Sequence, residues 1–213
     1  SNAECANSVK YIILAVKPQV YDTVIKNLMN VVTQDNVIIS LSPSHTIEML
    51  KNKFIKPVRI VRAMPNTPAL IGKAMTGVAY DAMEFSFDER EVLDRFFNSF
   101  GTYRVVDEKL MNAVTCASGS SPAYVYMFIE ALADACVKHG MPRTAAYDFV
   151  AQTVVGAGEM VLKTKEHPGL LKDKVCSPGG TTIAGVAALE EHGFRNSIIK
   201  AVDACFEKCS GIK

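Results

Sequence analysis

The first half of the chain alternates short apolar runs with helical patterns, and this alternation restricts the fold more than any other feature. Tyr11 to Val16 (YIILAV) is a continuous apolar run bounded by polar residues, as expected for a strand buried on both faces of a parallel sheet. Pro18 then opens a helix at its first turn, along which Val20, Val24, Leu28 and Val31 recur at three- and four-residue spacing. Val37 to Leu41 and Val58 to Met64 read as the next strands, with a short helix from Thr46 to Phe54 between them. Gly77 to Tyr80 is a further short strand. Asp88, with Glu91 three residues on, has the pattern of a capping box for a helix whose apolar side is Val92, Leu93, Phe96, Phe97 and Phe100. Gly101 to Val106 is the last strand. Strands alternating with helices predict a doubly wound α/β sheet with right-handed crossovers.

After Val106 the pattern becomes helical, which puts a domain boundary near Asp107 and divides the chain into 1–107 and 108–213. Glu108 to Ala117 reads as a helix, followed by a turn at Ser118-Gly119-Ser120-Ser121-Pro122, with Ser121 as N-cap and Pro122 as first residue of the next helix. That helix, Ala123 to His139, is apolar almost all round, so it is expected to be buried on every side. A small all-α domain can hardly do this alone, and a partner subunit is the expectation. Arg143 to Thr164 is another long helix, broken by His167-Pro168-Gly169, and Arg195 to Lys208 is the last.

Composition excludes several classes of function. The net charge is +1, which gives no support for binding nucleic acid or an anionic membrane. No apolar run approaches the ~20 residues of a membrane span, and no signal-peptide pattern opens the chain, so a cytoplasmic protein is expected. The six cysteines form no C-x-x-C pair, and reduced thiols with no metal are the expectation. Cys176 reads as a small packing residue. The four histidines, His45, His139, His167 and His192, are scattered over loops and helix ends and read as surface residues.

In open α/β sheets ligands bind beyond the carboxyl ends of the strands. Here those ends are Ala15-Val16-Lys17-Pro18, Leu41-Ser42-Pro43-Ser44 and Met64-Pro65-Asn66-Thr67-Pro68, all rich in Pro and small polar residues. They mark a cofactor groove. Lys17 suits either a solvated surface position or a ribose or phosphate contact, and Asn66-Thr67 either an Asx-type turn or a ligand contact. A second candidate lies at Pro178-Gly179-Gly180, which feeds a helix over about Ile183 to Glu191 with Thr181 and Thr182 as its cap residues. Such a start presents unpaired backbone N–H groups and the positive end of a helix dipole to an anion. The same residues also suit a well-capped helix with no ligand.

Four blocks carry a resemblance to a known family. SPGGTTIAGVAALE, from Ser177 to Glu190, is similar to the C-terminal signature of the pyrroline-5-carboxylate reductases. AVKPQ at Ala15, RAMPNTP at Arg62 and SGSSPAY at Ser118 agree with it, and the resemblance covers essentially the whole chain. It implies a partial Rossmann-type doubly wound sheet followed by an all-helical dimerisation domain, and reduction of 1-pyrroline-5-carboxylate to L-proline with NADP(H) or NAD(H). It implies that the amides of Gly180, Thr181 and Thr182 grip the substrate carboxylate and that the Thr182 hydroxyl faces the imine nitrogen as the catalytic group. Ser177, Gly179 and Glu108 complete the implied substrate-binding set. For the cofactor it implies Ala15, Val16, Lys17 and Pro18 beside the nicotinamide half, Asn66, Thr67 and Pro68 near them, and Asn2 by the adenosine ribose. Ser1-Asn2-Ala3 can equally be read as an expression-tag scar.

The partner implied is a second copy of the chain, as a homodimer or a larger ring. Two departures stand out. Ser121 replaces a glycine of the family, and no G-x-G-x-x-G turn is present, so the chain resembles a reductase with its first βαβ unit absent. Two competing readings follow: a related β-hydroxyacid dehydrogenase, for which only Lys138 at a helix's far end could serve as the catalytic lysine, and a non-catalytic oligomerising or binding protein.

Overall fold

Five strands form one sheet in the order β1 (Tyr11–Leu14), β2 (Val37–Ser40), β3 (Arg59–Met64), β4 (Ala74–Ala79) and β5 (Gly101–Val105) in the computed structural model, which describes residues 1–211. Every pairing is parallel except β3 with β4. Helices α1 (Asn2–Asn7), α2 (Tyr21–Leu28), α3 (Ile47–Lys51) and α4 (Phe87–Asn98) cover it. Alternate residues of one strand serve different cores because successive side chains point to opposite faces. Ile38 and Ile60 pack with Ala6, Tyr21, Ile25, Leu28 and Leu50 on one face. Val37, Ile39 and Val61 pack with Leu93 and Phe97 on the other. The expected α/β layering is what these residues build.

Local differences have physical causes. β1 is an edge strand rather than one buried on both faces: Ile13 is 44% exposed. Pro18 opens a single 3₁₀ turn, Pro18–Val20, before α2 begins at Tyr21. Residues 2–7, which carry no secondary-structure expectation from the sequence, form α1 under a capping box of Ser1 and Glu4. α4 starts earlier than the Asp88–Glu91 pattern suggests, because Ser86 and Glu89 make the actual box.

Glu89 has a second task that decides between the two overlapping patterns. Its carboxylate takes Arg59 at 2.7 Å, Lys10 at 2.8 Å and the Ser86 amide at 2.9 Å. Burial pushes this carboxyl up, but Lys10, the Ser86 amide and Arg59 together pull it from 4.5 down to about 2. A carboxyl whose folded pKa is depressed stabilises the fold fully above about 4.5, and that contribution is lost as the pH falls toward 2. Glu89→Gln is therefore expected to cost about 2–3 kcal/mol at neutral pH, the low end for a pair with one exposed partner. Urea melts at a series of pH values check it: the variant loses stability less steeply than wild type over that acid interval.

Beyond β5 the chain runs through a 3₁₀ turn (Glu108–Leu110), α5 (Met111–Val114), a π-helical segment (Thr115–Ser120) and α6 (Ser121–Lys138) without interruption. The turn expected at Ser118–Pro122 is thus a widened helical coil. Ser121 is no cap, since its Oγ donates to the Cys116 carbonyl at 2.6 Å, five residues back. Pro122 has no N–H to offer the Ser118 carbonyl four residues earlier. The Asn66 carboxamide takes that acceptor instead, Nδ2 to Ser118 O at 3.0 Å. Met111 is buried with Met64 and Ala79, so residues just after the expected boundary at Asp107 pack with the sheet. The chain divides into two units, Ser1–Pro122 with the residues from Ala204 on, and Ala123–Asp203.

The second unit comprises most of α6, α7 (Arg143–Thr164), α8 (Pro168–Val175), α9 (Thr181–Glu191) and the start of α10 (Phe194–Ser210). α8 was not expected; His167 Nδ1 accepts from the Gly169 amide at 3.0 Å and Pro168 opens the helix. The core of this unit is small: Ala133, Ala146 and Val150. α6 is not buried on every side within one chain, for Ala133 is its one buried residue. Met127 is 68% exposed, Phe149 66% and Leu162 67%. Apolar faces of this extent are those of a chain that folds against another.

Candidate functional site

Parallel pairing brings the carboxyl ends of β1, β2 and β3 side by side, with Leu14 opposite Ser40 and Ser40 opposite Arg62. A polar cluster fixes this end of the sheet. Tyr21 Oη donates to the Leu14 carbonyl at 2.8 Å, lies 3.1 Å from Ser40 Oγ, and its ring stacks on His45 at 4.7 Å. His45 Nδ1 meets Ser42 Oγ at 2.7 Å. His45 is therefore half-buried rather than a surface residue; burial, then Lys53, pushes its pKa down, so it is neutral at neutral pH. His139, His167 and His192 are exposed as expected.

The predicted cofactor residues take different places around this end. Ala15 and Val16 lie past the end of β1 and are exposed. Lys17 follows in an extended conformation, exposed, and among the described residues it enters no ion pair, while Pro18 is half-buried. Thr67 is exposed at the start of a 3₁₀ turn, with Pro68 half-buried beside it. Asn66 is held from both ends, because its Oδ1 also accepts from the Met75 amide at 3.1 Å. That ties the carboxamide to the protein. Asn2 is exposed at the first position of α1. An exposed, unpaired cation amid small residues at the strand ends fits the phosphate or ribose of a dinucleotide in chemical kind.

In the second unit, the other candidate site is the turn before α9. Gly179 adopts φ +69°, which a side chain would strain. A Cβ on Gly180 would lie 2.4 Å from Ser177 Oγ and 3.2 Å from the Ser177 carbonyl oxygen, so a side chain there would force Ser177 to shift. The helix begins at Thr181, not Ile183, and Gly180 rather than a threonine is its N-cap. The Gly180 amide is used inside the turn, donating to the Ser177 carbonyl at 3.0 Å, and is not available to a ligand. The first helical bond runs from Ala184 N–H to the Gly180 carbonyl. Thr181, Thr182 and Ile183 therefore carry the orphan amides of this helix start. Thr181 is exposed and Thr182 half-buried.

Glu108 sits in the first unit. Its Oε1 accepts from the Ile47 amide at 2.7 Å, at the start of α3, and from Arg62 Nη1 at 3.2 Å. Arg62 is buried and also reaches the Pro43 carbonyl at 2.5 Å. These residues line a cavity of about 700 Å³ whose far wall is Cys209, Ser210 and Gly211. There the structure brings together what the sequence kept apart: the sulfurs of Cys116, Cys205 and Cys209 lie within 4.8 Å of one another. Burial pushes the Cys116 thiol up to about 12, with Cys205 adding to it. The i, i+4 spacing of Cys205 and Cys209 was the one trace of this in the sequence.

Comparison with known proteins places the chain. A family model described as pyrroline-5-carboxylate reductase dimerisation matches residues 108–212. Pyrroline-5-carboxylate reductase of Escherichia coli K12 is 46% identical over 208 residues, 98% of this chain and 77% of that protein. The pea enzyme is 38% identical over 98% of this chain and 76% of its own. The crystal structure of the Plasmodium falciparum reductase with NADP bound superposes with a TM-score of 0.90 at 35% identity, covering 100% of this chain and 80% of that one. Among the described residues no helix is long and apolar enough to cross a membrane. With this identity over nearly the whole chain and this agreement in fold, the chain belongs to the pyrroline-5-carboxylate reductases, the NAD(P)H-dependent oxidoreductases that form proline.

Proposed function

We propose that the first turn of α9 is the carboxylate site of this reductase, with NADP(H) or NAD(H) as its hydride source. The observation that carries this is the set of orphan amides on Thr181, Thr182 and Ile183 behind a turn in which Gly179 takes a left-handed φ of +69° and a side chain on Gly180 would crowd Ser177. The reading differs from the family expectation in one atom group: the Gly180 amide serves the turn, and Ile183 takes its place as third donor.

When bound, a dihydronicotinamide would supply the hydride for the imine carbon, and the ring nitrogen would take up a proton. The chain's own work is to orient the ring and to present a donor at that nitrogen. Thr182 fits the role because it stands in the orphan-amide turn, half-buried, with its hydroxyl making no cap bond. Ala15, Val16 and Lys17 suit the nicotinamide half and Thr67 lies along the same strand ends; Asn66 contributes by holding this segment rather than by a free carboxamide. Self-association is the business of the helical unit, and we read the assembly as a homodimer.

The reading is tested by amide chemical shifts in the isotopically labelled protein titrated with L-proline. The amides of Thr181, Thr182 and Ile183 are expected to shift together, with Gly180 moving least. Shifts confined to other segments, or prolinamide perturbing this turn as strongly as proline, contradict a carboxylate cradle here.

A further inference from the structure

The reductase chemistry proposed above does not use the cysteine trio, of which Cys209 lines the cavity beside Pro43, Ser44 and Arg62. Cys205 and Cys209 share a face of α10 at i, i+4 spacing. Cys116 reaches them from the π-helical segment. Tetrahedral zinc–thiolate bonds of about 2.3 Å hold sulfurs roughly 3.8 Å apart, so sulfurs already within 4.8 Å need little movement to share an ion. Cys205 Sγ donates to Ser120 Oγ at 3.2 Å, an outer partner of the kind that orients metal ligands. Cys209 opens on the 700 Å³ cavity, which gives an ion a way in and water a place beside it.

We propose that Cys116, Cys205 and Cys209 form a binding site for one soft, thiophilic cation of the Zn²⁺ or Cu⁺ type. Three thiolates are its protein ligands, and for Zn²⁺ water from the cavity completes the tetrahedron. Each thiol that coordinates releases its proton to solvent, and no electron changes hands.

The test uses the full chain, reduced, in a Cys5→Ser background that removes the exposed thiol. Titration with Co²⁺, a spectroscopic stand-in for Zn²⁺, is expected to give a sulfur-to-metal charge-transfer band that saturates at one equivalent and is displaced by Zn²⁺. Cys209→Ser and, separately, Cys205→Ser are expected to abolish it, with circular dichroism confirming the fold. Ser120→Ala is expected to weaken binding about 10–100-fold. Saturation with Cu⁺ but not with Co²⁺ or Zn²⁺ identifies the trigonal, copper-type form of the same site. An undiminished band in Cys209→Ser, a band that instead vanishes in Cys176→Ser, or no binding of any of these ions overturns the proposal.

Discussion

Thr182→Ala is expected to lower kcat about 10²-fold while the protein melts at nearly its original temperature. The structure separates the two effects. Neither Thr181 nor Thr182 caps α9; Gly180 does, with its backbone alone. Removing the Thr182 hydroxyl therefore takes away no capping bond, and alanine is the better helix former, so the stability change is within about 0.5 kcal/mol. A hydroxyl that donates as charge shifts onto the ring nitrogen acts mainly in the transition state, so kcat falls more than KM rises. The estimate is the low end for general acid catalysis, because a threonine hydroxyl is a weak acid and water can substitute. Thr182→Ser keeps the donor and should restore most of the rate. Steady-state assays with the imine substrate, paired with thermal melts, check it. Near-full kcat in the alanine variant would place the proton donor elsewhere, a bound water first.

Met127→Glu combined with Phe149→Glu is expected to abolish the dimer. These side chains are 68% and 66% exposed in a single chain, on helices whose own core is three residues. Withdrawing a large apolar side chain from an interface costs about 2 kcal/mol, and burying a carboxylate in its place costs more. Each change occurs twice in a symmetric pair, so the dissociation constant should rise by at least roughly 10³-fold. Sedimentation equilibrium at micromolar concentration reads this directly. A wild-type chain that sediments as a monomer with native helicity would refute the assignment of these faces.

The sequence spoke most clearly where burial and periodicity coincide. β2 and β3 are apolar on both faces because both faces are covered, and their runs were visible at once. It misled where one pattern answers two needs. Ser86-x-x-Glu89 and Asp88-x-x-Glu91 are equally good capping boxes by spacing; what selects the first is that Glu89 also neutralises Arg59 and Lys10, long-range partners that no local pattern displays. The apolar α6 was read as more than an isolated small domain can bury, and within one chain Ala133 is its one buried residue. At the carboxylate turn the glycines and threonines were legible, whereas the assignment of amides was not: which N–H is spent on the Ser177 carbonyl is a matter of turn geometry. Of the thiol trio only the i, i+4 spacing of Cys205 and Cys209 was legible, because Cys116 joins them only in the folded chain.

Asn66 and Pro122 form a pair that variation must treat as one character. Pro122 orphans the Ser118 carbonyl and Asn66 supplies the donor that the helix lost. Had position 122 an N–H, the carbonyl could be satisfied within the helix, and Asn66 would be left holding only the Met75 amide. Asn66 is thus indispensable on one genetic background and replaceable on another. Among relatives, drift at either position is expected to wait on the other, so that a substitution harmful alone becomes neutral as the second half of a double change.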